Sequence, residues 1–563
     1  MSSQQRIALR VEGMTCDSCA AHVTRALQGV PGVVTVEVPG WQSAQAQVVA
    51  EAGVPDEVLV RAVEAAGYRA AVRERRPLER EESRREVLGG FRLQGRGPFD
   101  LMVIGGGSAG FAAAIRGAEL GARVGMVNDG AIGLGGTCVN IGCVPSKTLI
   151  RTAEAWHKAG HHPFTGVHTR QERLDWSQVI AQKDELVREL RQAKYSDVLR
   201  AYPQITLIEG RARFNDDGTV SVGDEVYRAD KYVITTGARP RLPDLPGADE
   251  VEVLTSTTAM ALPTQPRSLI VLGGRFVALE LGQTFARFGT EVTILQRSTR
   301  IIPQHEPEIG EALRGYLEDE GLTVVTGVRL LALRAEGDEK VVVAEVRGRV
   351  REFRAQEVMA ALGRVPNTDG LGLVEAGVAL GSKGEVLVDA TMQTSNPDIY
   401  AAGDVTALAN YVYVAAMGGV IAAENALTGT QRRLDLSVLP EVMFTDPQVA
   451  TVGLTEAQAR RLGHQVKTVV LPLEHVPRAL AARDTRGLIK VVADQATDRL
   501  LGVHLLAAEA GEVVQTAAMA LRYGARVADL TQMLFPYLTM VEGLKLAALA
   551  FEKDVTKLSC CAG

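Results

Sequence analysis

The segment 99–129 reads FDLMVIGGGSAGFAAAIRGAELGARVGMVND, and it narrows the possible folds of this chain more than any other stretch. An apolar run with strand character enters a glycine turn and leaves as a helix rich in small residues. Gly105, Gly107 and Gly110 give the spacing G-x-G-x-x-G, with the small Ala109 among them. Glycine lets the backbone approach a pyrophosphate, which then rests at the positive end of the helix. Taken alone the motif is weak, but its strand–turn–helix setting is the one that dinucleotide binding needs. An acid ordinarily follows about 20 residues on, to hold a ribose. Asn128 stands at that strand end here, beside Asp129, and its amide is able to hydrogen-bond a ribose.

A second opening of this kind occupies 267–300, RSLIVLGGRFVALELGQTFARFGTEVTILQRSTR. Gly273, Gly274 and Ala278 fit the turn, whereas Arg275 stands where the middle glycine belongs. A side chain there crowds a pyrophosphate unless it swings outward. After the next strand comes Gln296 in place of an acid, followed by Arg297 and Arg300. Without an acid nothing repels a 2′-phosphate, and the arginines are able to pair with it, which favours NADPH over NADH. Solvated surface arginines are the competing explanation.

Strand–helix repeats from Phe99 onward are the pattern of open parallel sheets, and a mixed strand and helix segment follows from about 436. The first 73 residues are different. Strand-like and helical runs alternate in the order βαββαβ, expected of a small ferredoxin-like sandwich. Residues 74–98 are crowded with charge and end in Gly and Pro, as a linker or solvated helix would. At roughly 100–200 residues per domain, 563 residues make three to five domains. The net charge of −6 offers no basic face for nucleic acid. No apolar stretch of about 20 residues spans a bilayer. The N-terminus lacks the apolar region of a signal peptide, so a cytoplasmic protein with reduced thiols is expected.

The six cysteines fall into three close pairs, Cys16/Cys19, Cys138/Cys143 and Cys560/Cys561. In a reduced compartment close pairs read as metal or redox sites rather than a disulfide framework. Cys138 and Cys143 are five apart at a helix start, where an ideal helix would separate their Cα atoms by roughly 8–9 Å. A disulfide wants less than about 7 Å. The helix is therefore expected to be distorted, at Gly142 and Pro145.

With GGTCVNIGCVPSK at 135–147 the chain resembles the pyridine nucleotide-disulfide oxidoreductases. TTGARP at 235–240, ALGRVPNT at 361–368, TSNPDIYAAGD at 394–404 and FTDPQVATVG at 444–453 extend the resemblance over about 99–555. It implies an FAD domain split into 99–264 and 366–435, an inserted NADPH domain at 265–365 and a dimerisation domain at 436–555. The expected architecture is thus α/β and α+β: two Rossmann-like domains, an α+β dimerisation domain and the ferredoxin-like N-terminal domain. It also implies a homodimer with active sites shared across the interface. By resemblance Cys143 lies against the flavin, Cys138 is the outer thiol, Lys147 sits near flavin N5 and Glu280 is its acidic partner. FAD contacts are implied for Gly105, Gly107, Ala109, Gly110, Asn128, Gly136, Thr137, Lys147, Gly237 and Asp404. NADPH contacts are implied for Gly273, Gly274, Ala278, Glu280, Arg297, Arg300 and Gly363.

Disulfide reductases of this family carry His-Pro-Thr-x-x-Glu near the C-terminus, whose His protonates a leaving thiolate. This chain has Tyr537-Leu538-Thr539-Met540-Val541-Glu542. A phenol with a pKa near ~10 is a poor proton shuttle at neutral pH. Together with the terminal Cys560-Cys561 and an eight-residue tail from 556, this resembles the mercury-reducing branch of the family. That resemblance implies Hg(II) as substrate, with Tyr195 and Tyr537 beside the metal. Tyr195 also reads as an ordinary tyrosine of an amphipathic helix. Gly13-Met14-Thr15-Cys16-Asp17-Ser18-Cys19 resembles a heavy-metal-associated domain, in which two thiolates grip a soft ion. Met14 is expected in the core, and His22 on a helix face. The implied relay runs from Cys16/Cys19 through Cys560/Cys561 to Cys138/Cys143, with Hg(II)–thiol complexes and mercury-transport proteins as donors. A disulfide reductase with an added metal domain, or a soft-metal chaperone on an idle flavin fold, are the alternatives.

Overall fold

The computed structural model describes residues 4–14, 17–38, 43–51, 53–77 and 98–557. The chain divides near Arg96 into two compact units.

In the N-terminal unit, strands Gln4–Glu12, Val33–Glu37, Gln45–Glu51 and Arg69–Pro77 form an antiparallel sheet in the order second, third, first, fourth. Helices Asp17–Gln28 and Asp56–Ala65 complete the βαββαβ order. Period two puts Ile7, Leu9 and Val11 on one face, and helical spacing turns Val23, Leu27, Leu59 and Val63 toward them; all seven are buried. Each contributes about 1.5–3 kcal/mol by leaving water. Met14 joins this core, 8% exposed, as expected. One expectation is corrected. Arg75 and Arg76, read as linker, belong to the last strand. Arg75 is held there by Asp56 at 2.9 Å, Gln5 at 2.8 Å and the Val54 carbonyl at 2.7 Å, partners distant in sequence.

In the larger unit, strands Ile205–Glu209, Val124–Asn128, Phe99–Ile104, Ala229–Ile234 and Ile399–Ala401 make a parallel sheet in that order. Its central strands are continuous apolar runs because both faces are covered. The last strand comes from beyond an insertion, so this subdomain is split in sequence. The insertion has its own parallel sheet, in the order Thr323–Thr326, Glu291–Gln296, Ser268–Leu272, Glu357–Ala360, and a three-stranded antiparallel sheet over 328–355. A five-stranded antiparallel sheet over 441–507 follows, packed by helices Ala510–Arg522 and Glu542–Leu549. One core cluster joins Leu149 and Ala153 of the thiol-bearing helix, Leu279 and Phe285 of the insertion, and Met443 and Leu506 of the antiparallel sheet. The three subdomains thus meet around the segment that carries the cysteines. Among the described residues no helix is long and apolar enough to cross a membrane.

Candidate active site

The expected distortion between Cys138 and Cys143 is a complete break. One helix, Gly136–Ile141, ends at Gly142, and a second, Cys143–Gly160, begins there. Gly142 has φ −130° and ψ −106°, and a Cβ at this position would lie 2.9 Å from the Thr137 carbonyl oxygen. Pro145 falls in the first turn of the second helix, where its missing N–H is not needed. Across the break each thiol is the largest influence on the ionisation of the other. The segment before it crosses the first glycine turn. The Gly135 amide donates to the Gly106 carbonyl at 2.8 Å, and a Cβ on Gly136 would strike the Gly107 Cα at 2.6 Å.

The two thiols are unequal. The hydrogen bond from Cys138, helped by the Lys147 charge and opposed by burial, lowers the Cys143 pKa to about 7. That same hydrogen bond, with burial and the Cys143 charge, pushes the Cys138 thiol well up. At neutral pH the reduced pair therefore keeps one proton, on Cys138, and much of Cys143 is thiolate. Alkylation of Cys143 by iodoacetamide, followed by peptide mass spectrometry, should rise with pH through a midpoint of about 7. A midpoint at the ordinary thiol value of about 8.5 would contradict this assignment.

One turn into the second helix, Lys147 Nζ lies 2.6 Å from Glu280 Oε2 of the insertion and 4.7 Å above the Phe444 ring. Glu280 is 6% exposed, and its Oε1 accepts the Phe444 backbone N–H at 2.9 Å. Tyr195 sits in a π-helical turn, Gln192–Ser196, a local widening that often marks functional positions. Its ring meets Phe111 edge-on at 4.8 Å. Burial, and after it the charge of Cys138, raise its pKa, while a hydrogen bond with Ser108 opposes them. An ordinary surface-helix tyrosine would have none of these neighbours.

A cavity of about 570 Å³ runs from Asn128 and Asp129, past Gly105, Gly106, Gly107, Ala109, Gly136, Thr137 and Gly237, to Cys138, Cys143 and Asp404. At Gly110 a Cβ would come 1.9 Å from the Gly105 carbonyl oxygen, so the helix packs onto the turn only with glycine there. In the second opening, Gly274 is packed on Gln296, where a Cβ would meet that side chain at 2.9 Å. Arg275 stands at the N-cap of helix Phe276–Arg287 in extended backbone, with an exposed side chain. Gln296 is buried, and Arg297 is exposed. Arg300 instead turns inward, donating to the Pro303 carbonyl at 2.8 Å and the His305 carbonyl at 3.4 Å. Gly363, in positive-φ backbone, follows the strand that ends at Ala360 beside this turn.

Residues 99–427 match the family described as pyridine nucleotide-disulphide oxidoreductase, and 439–548 match its dimerisation domain. The chain belongs to this family. Residues 8–69 match the heavy-metal-associated domain. Among curated relatives, a mercuric reductase of Staphylococcus aureus is 44% identical over 564 residues, covering 100% of each chain. One of Shigella flexneri is 43% identical over 99% of this chain and 100% of its own. Another, of Streptomyces lividans, is 45% identical over 84% of this chain and 100% of its own. Among solved structures, the HOCl-induced flavoprotein disulfide reductase RclA of Escherichia coli aligns with a TM-score of 0.73 at 29% identity, over 81% of this chain and 100% of that one. The dimerisation domain supports a homodimer.

The pyridine nucleotide-disulphide oxidoreductases use FAD and a pyridine nucleotide, and the cavity suits the flavin cofactor. Its glycine turn leaves no room for a Cβ at Gly105 or Gly110, and it opens at one end on the dithiol. A residue that the sequence reading passed over stands at that end. Arg364 pairs with Asp404 at 3.4 Å, reaches Thr137 Oγ1 at 3.4 Å and bonds the Ala238 carbonyl. It is the buried Nε that faces Asp404, as an ion pair without hydrogen-bond geometry, and burial lowers the Arg364 pKa while raising that of Asp404. A lone arginine inside ALGRVPNT was the available signal. Phe444 was missed because its N–H acts through backbone, and Ile302 because φ 37° for a β-branched residue leaves no sequence trace; its amide bonds the Gly274 carbonyl at 2.9 Å.

Cys138, Cys143, Lys147, Tyr195 and Glu280 are brought together within one chain. Tyr537 does not line the cavity; it is 48% exposed on the loop before helix Glu542–Leu549. Leu538 follows it at φ 59°, and its N–H donates to Glu542 Oε2 at 3.2 Å. Cys19 is half-buried near the start of helix Asp17–Gln28, and His22 is exposed, edge-on to Tyr68. Cys16, Cys560 and Cys561 lie outside the described residues.

Proposed function

We propose that this chain reduces Hg(II) to Hg(0) with NADPH and FAD, mercury being passed between cysteine pairs as thiolate complexes. The observation that carries the proposal is an assembled dithiol in a chain whose position 537 holds tyrosine where the disulfide reductases carry their histidine. Cys138, Cys143, Lys147 and Glu280 are assembled, yet position 537 is a tyrosine and Glu542 is engaged with the Leu538 backbone. A disulfide leaves as a thiolate that needs a proton. A thiolate-bound metal ion needs none, and full-length relatives bear the name mercuric reductase.

In this account Cys16 and Cys19 take Hg(II) from small thiols, each new Hg–S bond replacing an old one, so that no bare ion is desolvated. Mercury passes to Cys560 and Cys561, which would reach the site of the partner subunit, and then to Cys138 and Cys143. The Cys143 thiolate attacks first and displaces one tail sulfur; as Cys138 forms the second Hg–S bond it displaces the other, and its proton passes to the departing tail thiolate. Bound FAD supplies the chemistry of taking a hydride from NADPH and handing on two electrons. Hg(II) takes those two electrons, both Hg–S bonds break, and the sulfurs remain as thiolates that recover a proton. Lys147, fixed by Glu280, holds positive charge at the flavin end of the site. Tyr195 and Tyr537 would orient the ion. Asn128, Thr137, Asp404 and Arg364 would hold FAD. Cytoplasmic location suits the need for NADPH and reduced thiols, and mercury-transport proteins would donate the ion by the same thiolate exchange.

NADPH preference is assigned chiefly to Arg297, since Arg300 is tied to backbone carbonyls. Arg297→Gln should raise the KM for NADPH about tenfold and leave that for NADH unchanged, the loss of roughly one exposed charge-assisted pair. Equal effects on both nucleotides would remove the assignment. The function itself is tested by NADPH oxidation with Hg(II) in excess small thiol, run against oxidised glutathione and lipoamide. Turnover with mercury alone is expected; turnover confined to the disulfides would overturn the proposal.

A further inference from the structure

Helix Phe276–Arg287 presents three polar side chains on one face to a single segment of the antiparallel-sheet subdomain. Glu280, Gln283 and Arg287 are 6%, 4% and 7% exposed. Burial of three polar groups in a row is costly unless each is paired, and each is. Glu280 Oε1 accepts the Phe444 N–H at 2.9 Å. Gln283 Oε1 accepts the Asp446 N–H at 2.9 Å, while its Nε2 donates to the Asp446 carbonyl at 2.8 Å. Gln283 thus pairs with one residue's backbone on both sides, as a neighbouring strand would. Arg287 Nη1 binds Asp446 Oδ2 at 2.9 Å, and its other nitrogens bind Glu320 at 2.7 and 2.8 Å. From the far side Arg486 contacts Asp446 Oδ1 at 3.3 Å and Glu320 Oε1 at 3.2 Å.

This clamp ends two residues from Phe444, whose N–H orients Glu280 and whose ring lies 4.7 Å from Lys147 Nζ. Cys143 lines the cavity, whereas Lys147, Glu280 and Gln283 stand behind it. We propose that Gln283 is a positioning residue for the reaction: by gripping the Asp446 backbone it fixes Phe444, and through Phe444 it sets the geometry of the Lys147–Glu280 pair. The proposal rests on the reading that this pair acts on the flavin. A residue that only glued two subdomains together would affect stability and nothing else.

The test uses the full-length holoenzyme with Gln283→Met, which keeps the volume and loses both hydrogen bonds to the Asp446 backbone, along with the longer one to Glu320 Oε2 at 3.2 Å. Glu280→Gln is the reference, and the double variant completes a cycle. FAD content, Tm, the KM for NADPH, the rapid-mixing rate of flavin reduction and the midpoint potential of the bound flavin are measured. Gln283→Met should retain FAD and KM, slow flavin reduction about tenfold and shift the potential in the same direction as Glu280→Gln. The double variant should add little to Glu280→Gln alone, because both act through one pair. A lowered Tm with rate and potential unchanged, or full additivity, would overturn the proposal. If Glu280→Gln itself leaves rate and potential unchanged, the reading of the Lys147–Glu280 pair fails, and this proposal with it. Should the Met variant not retain FAD, Gln283→Asn, polar but one methylene shorter, carries the same comparison.

Discussion

Replacing Cys143 by serine is expected to abolish mercury reduction while leaving a folded flavoprotein that NADPH still reduces. The thiol is half-buried at the start of a helix, and serine fits its volume. What serine lacks is the thiolate. The Cys143 pKa is lowered to about 7 by the Cys138 hydrogen bond and the Lys147 charge, and neither brings an alkanol near ionisation. A soft ion also prefers sulfur strongly over a hydroxyl oxygen. Turnover should fall by about 10³-fold or more, as when one member of a group acting as a unit is removed. Cys138→Ala should also stop turnover, and it should raise the Cys143 pKa, because its largest support, the hydrogen bond from Cys138, is gone. Single-turnover mixing separates the steps: flavin reduction by NADPH persists, and reoxidation by Hg(II) does not. Loss of flavin reduction as well would mean that Cys143 serves the cofactor rather than the metal.

Gly110→Ala should yield protein with little or no bound flavin. The added Cβ would sit 1.9 Å from the Gly105 carbonyl oxygen and 2.9 Å from Thr235 Oγ1. The turn is unable to retreat, because Gly105 is itself pressed on the Thr235 carbonyl, 2.5 Å from where its own Cβ would be. Either the helix moves off the turn or the turn opens, and both take the helix N-terminus from the pyrophosphate. Overpacking of this kind costs about 1–3 kcal/mol before any cofactor is lost. Gly315→Ala is the control. It lies in helix Pro307–Asp319 with nothing within 4 Å of the new Cβ, and should stabilise by up to about 1 kcal/mol. Flavin absorbance per protein, with Tm, checks both. A flavin-replete Gly110→Ala protein would show that this helix start does not bind the cofactor.

The parts legible in the sequence are those where backbone shape depends on one residue type. Glycine turns announced both parallel sheets, and the βαββαβ order announced the N-terminal sandwich. Cys138 and Cys143 were readable as a close pair of thiols, and Lys147 through the resemblance that GGTCVNIGCVPSK carries. The rest of the site is built from contacts between distant segments, which no local pattern records. Phe444 acts through its N–H, so any residue but proline would look alike there. Arg364 sits in a recognised motif, but its reach to Thr137 and Asp404 depends on two strands meeting far apart in sequence. Arg297 and Arg300 read as equals, and only the carbonyls of Pro303 and His305 distinguish them. The helix break at Gly142 was anticipated as distortion. Its completeness follows from the Thr137 carbonyl lying where a side chain would be.

The central claim is that the electrons of NADPH end on mercury. The most direct measurement traps mercury vapour from the enzyme supplied with NADPH and Hg(II) in excess small thiol, and compares it with the NADP+ formed. Equal moles of elemental mercury and NADP+ are expected, with no mercury released by Cys143→Ser. NADPH consumed while mercury stays in solution, or mercury bound without NADPH consumption, would contradict it.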